Sequence, residues 1–487
     1  MSLSRRFIRS AGWNATTNVV RVLVLFVRFT LLSRWLPKEV FGTYSTAALI
    51  ITLTITLAGF GIGGAFLNRE PETEDEDRAA QVHLSLRLLF TLGWTVALTL
   101  VAWLFLSPET GRVLIVMTVI NAGLELMQVP RLILVRRVEH QRLALIELFN
   151  TFIASGLALW IAWFWRSIWA LLVVDLTNLV LTFLFLVVWR PVWRVRFGWD
   201  RQIVRYYLAF GRHNFASTTL LRVLDKIDDL WVRVYLGNIA LADYSRAYTL
   251  ATYPRELLAR AIDEVALGTY AELKYDRRRL SQAFFRTNAL LIRSSFFLAG
   301  GFALIAPEFI LVFLTEKWLP MLTAFQLMLV FTLLDPIKLT VGLLFNAIGK
   351  PQIVLRARII QFVVLVVFMY LLGFRWGIAG VALAVDLMLL AGLGHLFWFA
   401  RFEVDFSLRR LFVVPLLGIV FGLCLGWLSG HYLGNVSPVV VGLTKGVVFT
   451  GVFGLVMVLL ERQEVRQMVV AARKIVGLKR EGEEIGK

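Results

Sequence analysis

The sequence predicts an all-α polytopic membrane protein. It has about fourteen transmembrane helices, arranged as two six-helix lobes related by a pseudo-twofold axis plus a C-terminal helix pair. Three observations carry this. The 487 residues are 58% hydrophobic, with a mean hydropathy of +0.73, above the 45–50% apolar of an average soluble domain. Apolar runs of about 20 residues, enough to cross a bilayer, recur along almost the whole chain. Features of the first two helices return at an offset of 200 residues.

Taken in order, the apolar periods place helices at 13–33, 44–67, 83–106, 112–134, 143–165 and 167–189. A second set follows at 210–236, 243–266, 284–306, 319–345, 355–373 and 377–400, and a last pair at 410–429 and 438–460. The seventh and eighth are the least hydrophobic, so a hydropathy scan alone passes over them. The basic residues Arg5, Arg6 and Arg9 precede a long run punctuated by Arg21 and Arg28, with no small-residue cleavage site. That run reads as a retained first helix, not a cleaved leader.

Charge sets the expected orientation. With the N-terminus inside, the inner segments hold the Arg136–Arg142 cluster, the arginine-rich stretch 190–212, Lys274 to Arg286, Lys350 to Arg358, Arg401 to Arg410 and a basic tail. The outer segments hold only Arg34, Lys38, Arg112, Arg166, Lys317 and Arg375. This bias places both termini in the cytoplasm. Most of the net charge of +18 is topology charge, with a share for anionic headgroups, and nucleic acid is not an expected partner. Tail residues 461–487 read as a basic amphipathic helix on the inner leaflet. The single cysteine, Cys424, allows no disulfide within the chain. The five histidines are scattered, so no metal site and no cofactor is expected.

The repeat matches Asn14 to Asn214, Leu36 to Leu236, Tyr44 to Tyr244, Ser45 to Ser245 and Ala47 to Ala247. Six helices separate the copies, so they run parallel, as transporter halves do when related by an axis along the membrane normal. The expected domains are an N-lobe at 1–206, a C-lobe at 207–406, the helix pair at 407–460 and the tail.

Polar stripes mark the candidate site. Helix one carries Asn14, Asn18, Arg21 and Arg28 on one face. Helix seven carries Asn214, Thr218, Arg222, Asp225, Asp229 and Arg233, with Lys226 and Asp228 beside them. Helix eight continues with Arg246, Tyr253, Glu256, Arg260 and Glu264. An arginine at mid-bilayer costs roughly 2.5–3.5 kcal/mol on insertion scales. A chain accepts that where the guanidinium faces water or a partner. One reading is a water-filled cavity between the lobes, whose arginines suit phosphate. The other is plain pairing, Arg222 with Asp225 or Arg28 with Asp228. Asp228, Glu256 and Asp335 are candidates for proton or ion coupling. Glu147, Asp175, Lys338 and Asp386 are isolated polar points. The glycines Gly59, Gly61, Gly63 and Gly64 lie in an apolar helix, where they permit close approach or bending instead of binding nucleotide.

These residues also carry a family resemblance. The run from Leu32 to Tyr44, LSRWLPKEVFGTY, resembles the turn after helix one in polysaccharide transporters of the PST/Wzx type, of the MOP superfamily. So do Asp225, Asp228, Asp229, Leu236-Gly237, Tyr244-Ser245, Tyr248 and Pro254. Glu316-Lys317-Trp318-Leu319-Pro320 and Asn346 to Pro351 add a third match. The resemblance spans about residues 1–400. It implies fourteen helices and flipping of an undecaprenyl-pyrophosphate-linked oligosaccharide (an O-antigen, capsule or exopolysaccharide repeat unit) by alternating access. It implies a cationic cavity, at which Arg21, Arg28, Arg222 and Arg246 fall. The partners expected are that lipid-linked oligosaccharide, membrane lipids and polymerase or ligase machinery, with the transporter itself monomeric, in a bacterial or archaeal cytoplasmic membrane. Rival readings are a lipid II flippase, a multidrug exporter, and a membrane enzyme acting on lipid-linked sugars. The enzyme needs an outer loop or an acidic or histidine cluster that the sequence lacks, so no catalytic residue is expected.

Overall fold

The computed structural model describes residues 20–69, 76–137, 139–433 and 436–462, with backbone alone at 140, 254–265 and 267. Asn14, Asn18 and all but the start of the basic tail lie outside the described residues. Every element among the described residues is helical. The first, α1, covers residues 20–35. There follow α2 (Lys38–Gly59), α3 (Ile62–Asn68), α4 (Glu76–Phe105), α5 (Pro108–Leu126), α6 (Gln128–Arg136), α7 (His140–Trp165) and α8 (Trp169–Phe183). Then come α9 (Arg201–Tyr235), α10 (Gly237–Leu273), α11 (Arg277–Phe309), α12 (Leu322–Ala347), α13 (Pro351–Glu403), α14 (Leu408–Tyr432) and α15 (Pro438–Leu460).

The protein is a multi-pass membrane protein. Ten helical segments among the described residues are long and apolar enough to cross a bilayer. That set leaves out α9 and α10, the two helices whose charge the sequence marked. It also holds α13 as one segment of 53 residues, roughly 80 Å if straight against a hydrocarbon core of about 30 Å. α13 is two helices meeting at Gly377, whose φ of 57° and ψ of −136° are not helical. The turn is so tight that a Cβ at Gly380 would lie 2.1 Å from the Leu372 carbonyl oxygen.

Two expected helices are split. The span expected at 44–67 breaks at Phe60 and Gly61, with φ of 41° and 67°. Gly61 supplies the left-handed conformation that ends α2 and restarts the chain as α3. The span expected at 112–134 breaks at Met127, between α5 and α6.

Packing divides the chain into two compact units, Met1–Ser245 and Arg246–Lys487. In the first, α2, α4, α5 and α8 close around Ala47, Trp94, Leu98, Leu114, Met117 and Leu172. A second apolar cluster joins α3, α4, α6 and α9 through Ile62, Phe66, Leu86, Ile133 and Tyr207. In the second unit one core runs from Tyr270 and Phe284 through Ile337, Phe345, Leu389 and Phe397 to Phe449 and Phe453. The lobe boundary expected at 206/207 is a partition by repeat, whereas these units are a partition by packing. They differ because α9 lies along α2, α3 and α4.

Candidate functional site

α9 explains how so polar a helix is held. It runs 35 residues, roughly 50 Å at 1.5 Å per residue. Asp200 caps its start, accepting the backbone N–H groups of Gln202 at 2.8 Å and Ile203 at 3.3 Å. From there its polar residues step along α2 in antiparallel order. Asn214 Nδ2 donates to the Gly61 carbonyl at 3.1 Å. Thr219 donates to the Thr56 hydroxyl at 3.0 Å. Arg222 Nη1 reaches the Thr52 carbonyl at 3.5 Å. Arg233 Nε donates to the Thr46 hydroxyl at 3.0 Å, which in turn donates to Asn238 Oδ1 at 2.9 Å. The threonines of α2 therefore supply hydrogen bonds that lipid cannot.

Two glycines permit the close approach. A Cβ at Gly61 would lie 2.6 Å from the Gly211 carbonyl oxygen, and one at Gly42 would lie 2.7 Å from the Asn238 carbonyl oxygen. At the Gly42 end Lys38 Nζ bonds Asp243 Oδ1 at 2.6 Å, with side chains 13% and 6% exposed. This clamp ties the start of α2 to the start of α10.

The acids of the stripe are not equivalent. Asp228 is buried and accepts the Tyr244 hydroxyl at 2.7 Å. Asp229 is buried and pairs with Lys226 at 2.6 Å. Asp225 and Arg222 are exposed. On α8, Asp175 accepts the Tyr44 hydroxyl at 3.1 Å and feels the Arg28 charge. The repeat-related Tyr44 and Tyr244 thus each donate to an aspartate. Arg21 buries its Nε without a hydrogen-bond partner among the described residues. In the second unit, Asp335 is buried beside Lys338 at 2.6 Å, and Arg246 is half-buried on α10. The side chains of Glu256 and Arg260 lie outside the described residues.

Several charged pairs escaped the sequence reading. Arg87 of α4 and Glu125 of α5 form an ion pair, 8% and 12% exposed. Arg293 of α11 bonds Glu461 through two nitrogens at 2.7 and 2.8 Å. Lys445 of α15 bonds Glu308 of α11 at 2.6 Å. Arg87, Glu125, Arg293, Glu308 and Lys445 were each visible as a charge in or beside an apolar run, but the partner lies on or at the end of another helix. Sequence spacing within one helix carries no signal for that.

The fold is similar to the "Lipid II flippase MurJ, inward closed conformation", with a TM-score of 0.74 and 14% identity over 94% of this chain and 99% of that one. An inward-facing multidrug resistance MATE family transporter of the MOP superfamily aligns with a TM-score of 0.60, 17% identity, and coverage of 79% and 94%. Residues 31–323 match the family described as "Polysaccharide biosynthesis protein", and the chain belongs to that family. Its relatives include the lipopolysaccharide biosynthesis protein WzxC of Escherichia coli (strain K12), 24% identical over 72% of each chain. They also include the succinoglycan biosynthesis transport protein ExoT of Rhizobium meliloti (strain 1021), 23% identical over 63% of this chain and 62% of that one.

Proposed function

We propose that this protein is a flippase that moves an undecaprenyl-pyrophosphate-linked oligosaccharide across the cytoplasmic membrane by alternating access. The observation that carries the reading is cationic charge at membrane depth in a chain of the polysaccharide biosynthesis family. Arg21 and Arg28 lie in the apolar α1, and Arg222 is exposed in mid-span on α9. An exposed guanidinium there is costly against acyl chains and favourable against water or a phosphate oxygen. Arg21, Arg28, Arg222 and Asp225 line a hydrated cavity and bind the pyrophosphate. Asp229 sets the position of Lys226 beside it. The sugar occupies the polar space and the prenyl tail stays in lipid.

No bond breaks in this cycle, so it needs no catalytic residue. Its driving force is an ion gradient, the membrane potential or consumption of the product. Asp228, Glu256 and Asp335 are the proposed coupling acids. Both termini lie in the cytoplasm. Glycan polymerase or ligase machinery takes the product.

The test is headgroup translocation in proteoliposomes carrying the lipid-linked oligosaccharide. Arg21→Ala and Arg222→Ala are each expected to lower the rate at least about tenfold, the effect of one charge-assisted hydrogen bond. Unchanged rates in both sink the pyrophosphate clamp. Lipid II supplied in the same assay separates the two flippase readings: faster transport of lipid II overturns the oligosaccharide assignment.

A further inference from the structure

α14 carries glycine at four positions spaced by four, Gly418, Gly422, Gly426 and Gly430. They share one face, and that face receives neighbouring side chains in close contact. A Cβ at Gly418 would lie 2.9 Å from Phe453, one at Gly422 2.7 Å from Phe449, and one at Gly426 2.4 Å from Leu304. These three are apolar packing. The fourth differs: a Cβ at Gly430 would lie 2.2 Å from Lys445 Cε. Gly430 therefore lets a lysine stem lie flat on the helix, so that its ammonium reaches Glu308 at 2.6 Å.

The Lys445–Glu308 pair is 11% and 13% exposed, and it borders a cavity of about 340 Å³ among α11, α14 and α15. Glu308 Oε2 is buried there with no hydrogen-bond partner among the described residues. Lys445 spends one of its three donors on Glu308. Trp427 and His431 stack beside the cavity with centroids 5.6 Å apart. Val441 and Pro438 complete an apolar wall.

The chemistry of an occupant follows. The pair is neutral as a whole, so a lone anion or a lone cation meets attraction and repulsion together. A group with both charges satisfies both sides: its cation donates to Glu308 Oε2, and its anion accepts from Lys445 Nζ. The rim of the cavity is apolar and exposed, with Trp427 at 59% and Val436 at 44%, which calls for acyl chains alongside the headgroup. The cavity lies at the end of α14 opposite Arg409 and Arg410, at the level of an interfacial tryptophan. We propose that this pocket binds the phosphoethanolamine headgroup of a membrane phospholipid. The ammonium sits against Glu308, and the phosphate sits between Lys445 and the ring of His431.

The experiment is lipid retention by the purified full-length protein, read by native mass spectrometry. The probes are phosphatidylethanolamine, phosphatidylglycerol and phosphatidylcholine of identical chains. One phosphatidylethanolamine per chain is expected, preferred about tenfold over each of the others, the worth of one charge-assisted hydrogen bond. Gly430→Ala displaces Lys445 and is expected to abolish the preference, and so is Glu308→Gln. His431→Ala, at an exposed site, weakens retention while leaving the fold intact. Equal retention of the three lipids by the unmodified protein overturns the proposal without any variant, as does an unchanged preference in Glu308→Gln. The readout is lipid binding, not transport, so it stands or falls separately from the flippase assignment.

Discussion

At Gly42 the absence of one methyl group decides whether α2 can meet the α9–α10 turn. A Cβ there meets backbone, the Asn238 carbonyl, which cannot swing aside as a side chain can. Gly42→Ala is therefore expected to cost about 2 kcal/mol, read as a fall in thermal midpoint of the detergent-solubilised protein. Gly93, where an added Cβ meets nothing within 4 Å, is the control, and Gly93→Ala leaves the midpoint unchanged or raised. The same logic of specific partners applies to Arg293. Its fork is held by both oxygens of Glu461, with side chains 5% and 10% exposed. Removing Glu461 takes two charge-assisted hydrogen bonds from a buried guanidinium, at about 3–5 kcal/mol. Glu461→Ala is expected to destabilise strongly, and Arg293→Met with Glu461→Leu to recover most of the loss. A double-mutant cycle showing additive effects would refute the coupling.

At the scale of elements, α9 is the unusual helix: it carries a polar face and is not among the ten segments apolar enough to cross a bilayer. Its start depends on Asp200, which lies in the loop outside the membrane-spanning segments. Two backbone N–H groups, with Arg78 at 2.5 Å behind them, hold its carboxyl below the usual aspartate value. A depressed native pKa stabilises the fold above the ordinary value of about 4. That contribution disappears as pH falls through the lowered native value. Thermal midpoints from pH 5 to pH 3 should therefore fall more steeply for the unmodified protein than for Asp200→Asn. Parallel curves would remove the cap from the account of acid sensitivity. α13 turns on a different device, the single non-helical residue Gly377. Its conformation is one that side chains rarely adopt, so Gly377→Ala is expected to cost about 1–3 kcal/mol. The same thermal assay checks it.

For the whole molecule the open quantity is direction. Basic residues crowd alternate loops, and the proposed transport loads its substrate from the inner leaflet. A Cys424→Ala background with Arg166→Cys is expected to react with an impermeant maleimide in intact cells. The same background with Arg196→Cys is expected to react only after permeabilisation. The reverse pattern would invert the topology and with it the proposed direction of transport. The molecule also shows how a chain with 17% charged residues lives in lipid. Several of its interior charges are paired within one unit: Lys38 with Asp243, Arg87 with Glu125, Lys226 with Asp229 and Lys445 with Glu308.

Much of this was legible in one dimension. Hydropathy and length specify membrane helices because lipid allows no other backbone solution. The polar stripes of α1 and α9 were readable because helical periodicity places spaced residues on one face. The LSRWLPKEVFGTY run, with the two motifs after it, was enough to identify the family. Tertiary structure decided the rest. It gave Asp228 to Tyr244 and not to Arg28, ended α2 at Phe60, and joined two expected spans through Gly377. It set Lys445 against Glu308, 137 residues away in the chain. A sequence states which residues carry charge and how they repeat along a helix. Which charges neutralise each other depends on distances between helices, and those exist only once the helices pack.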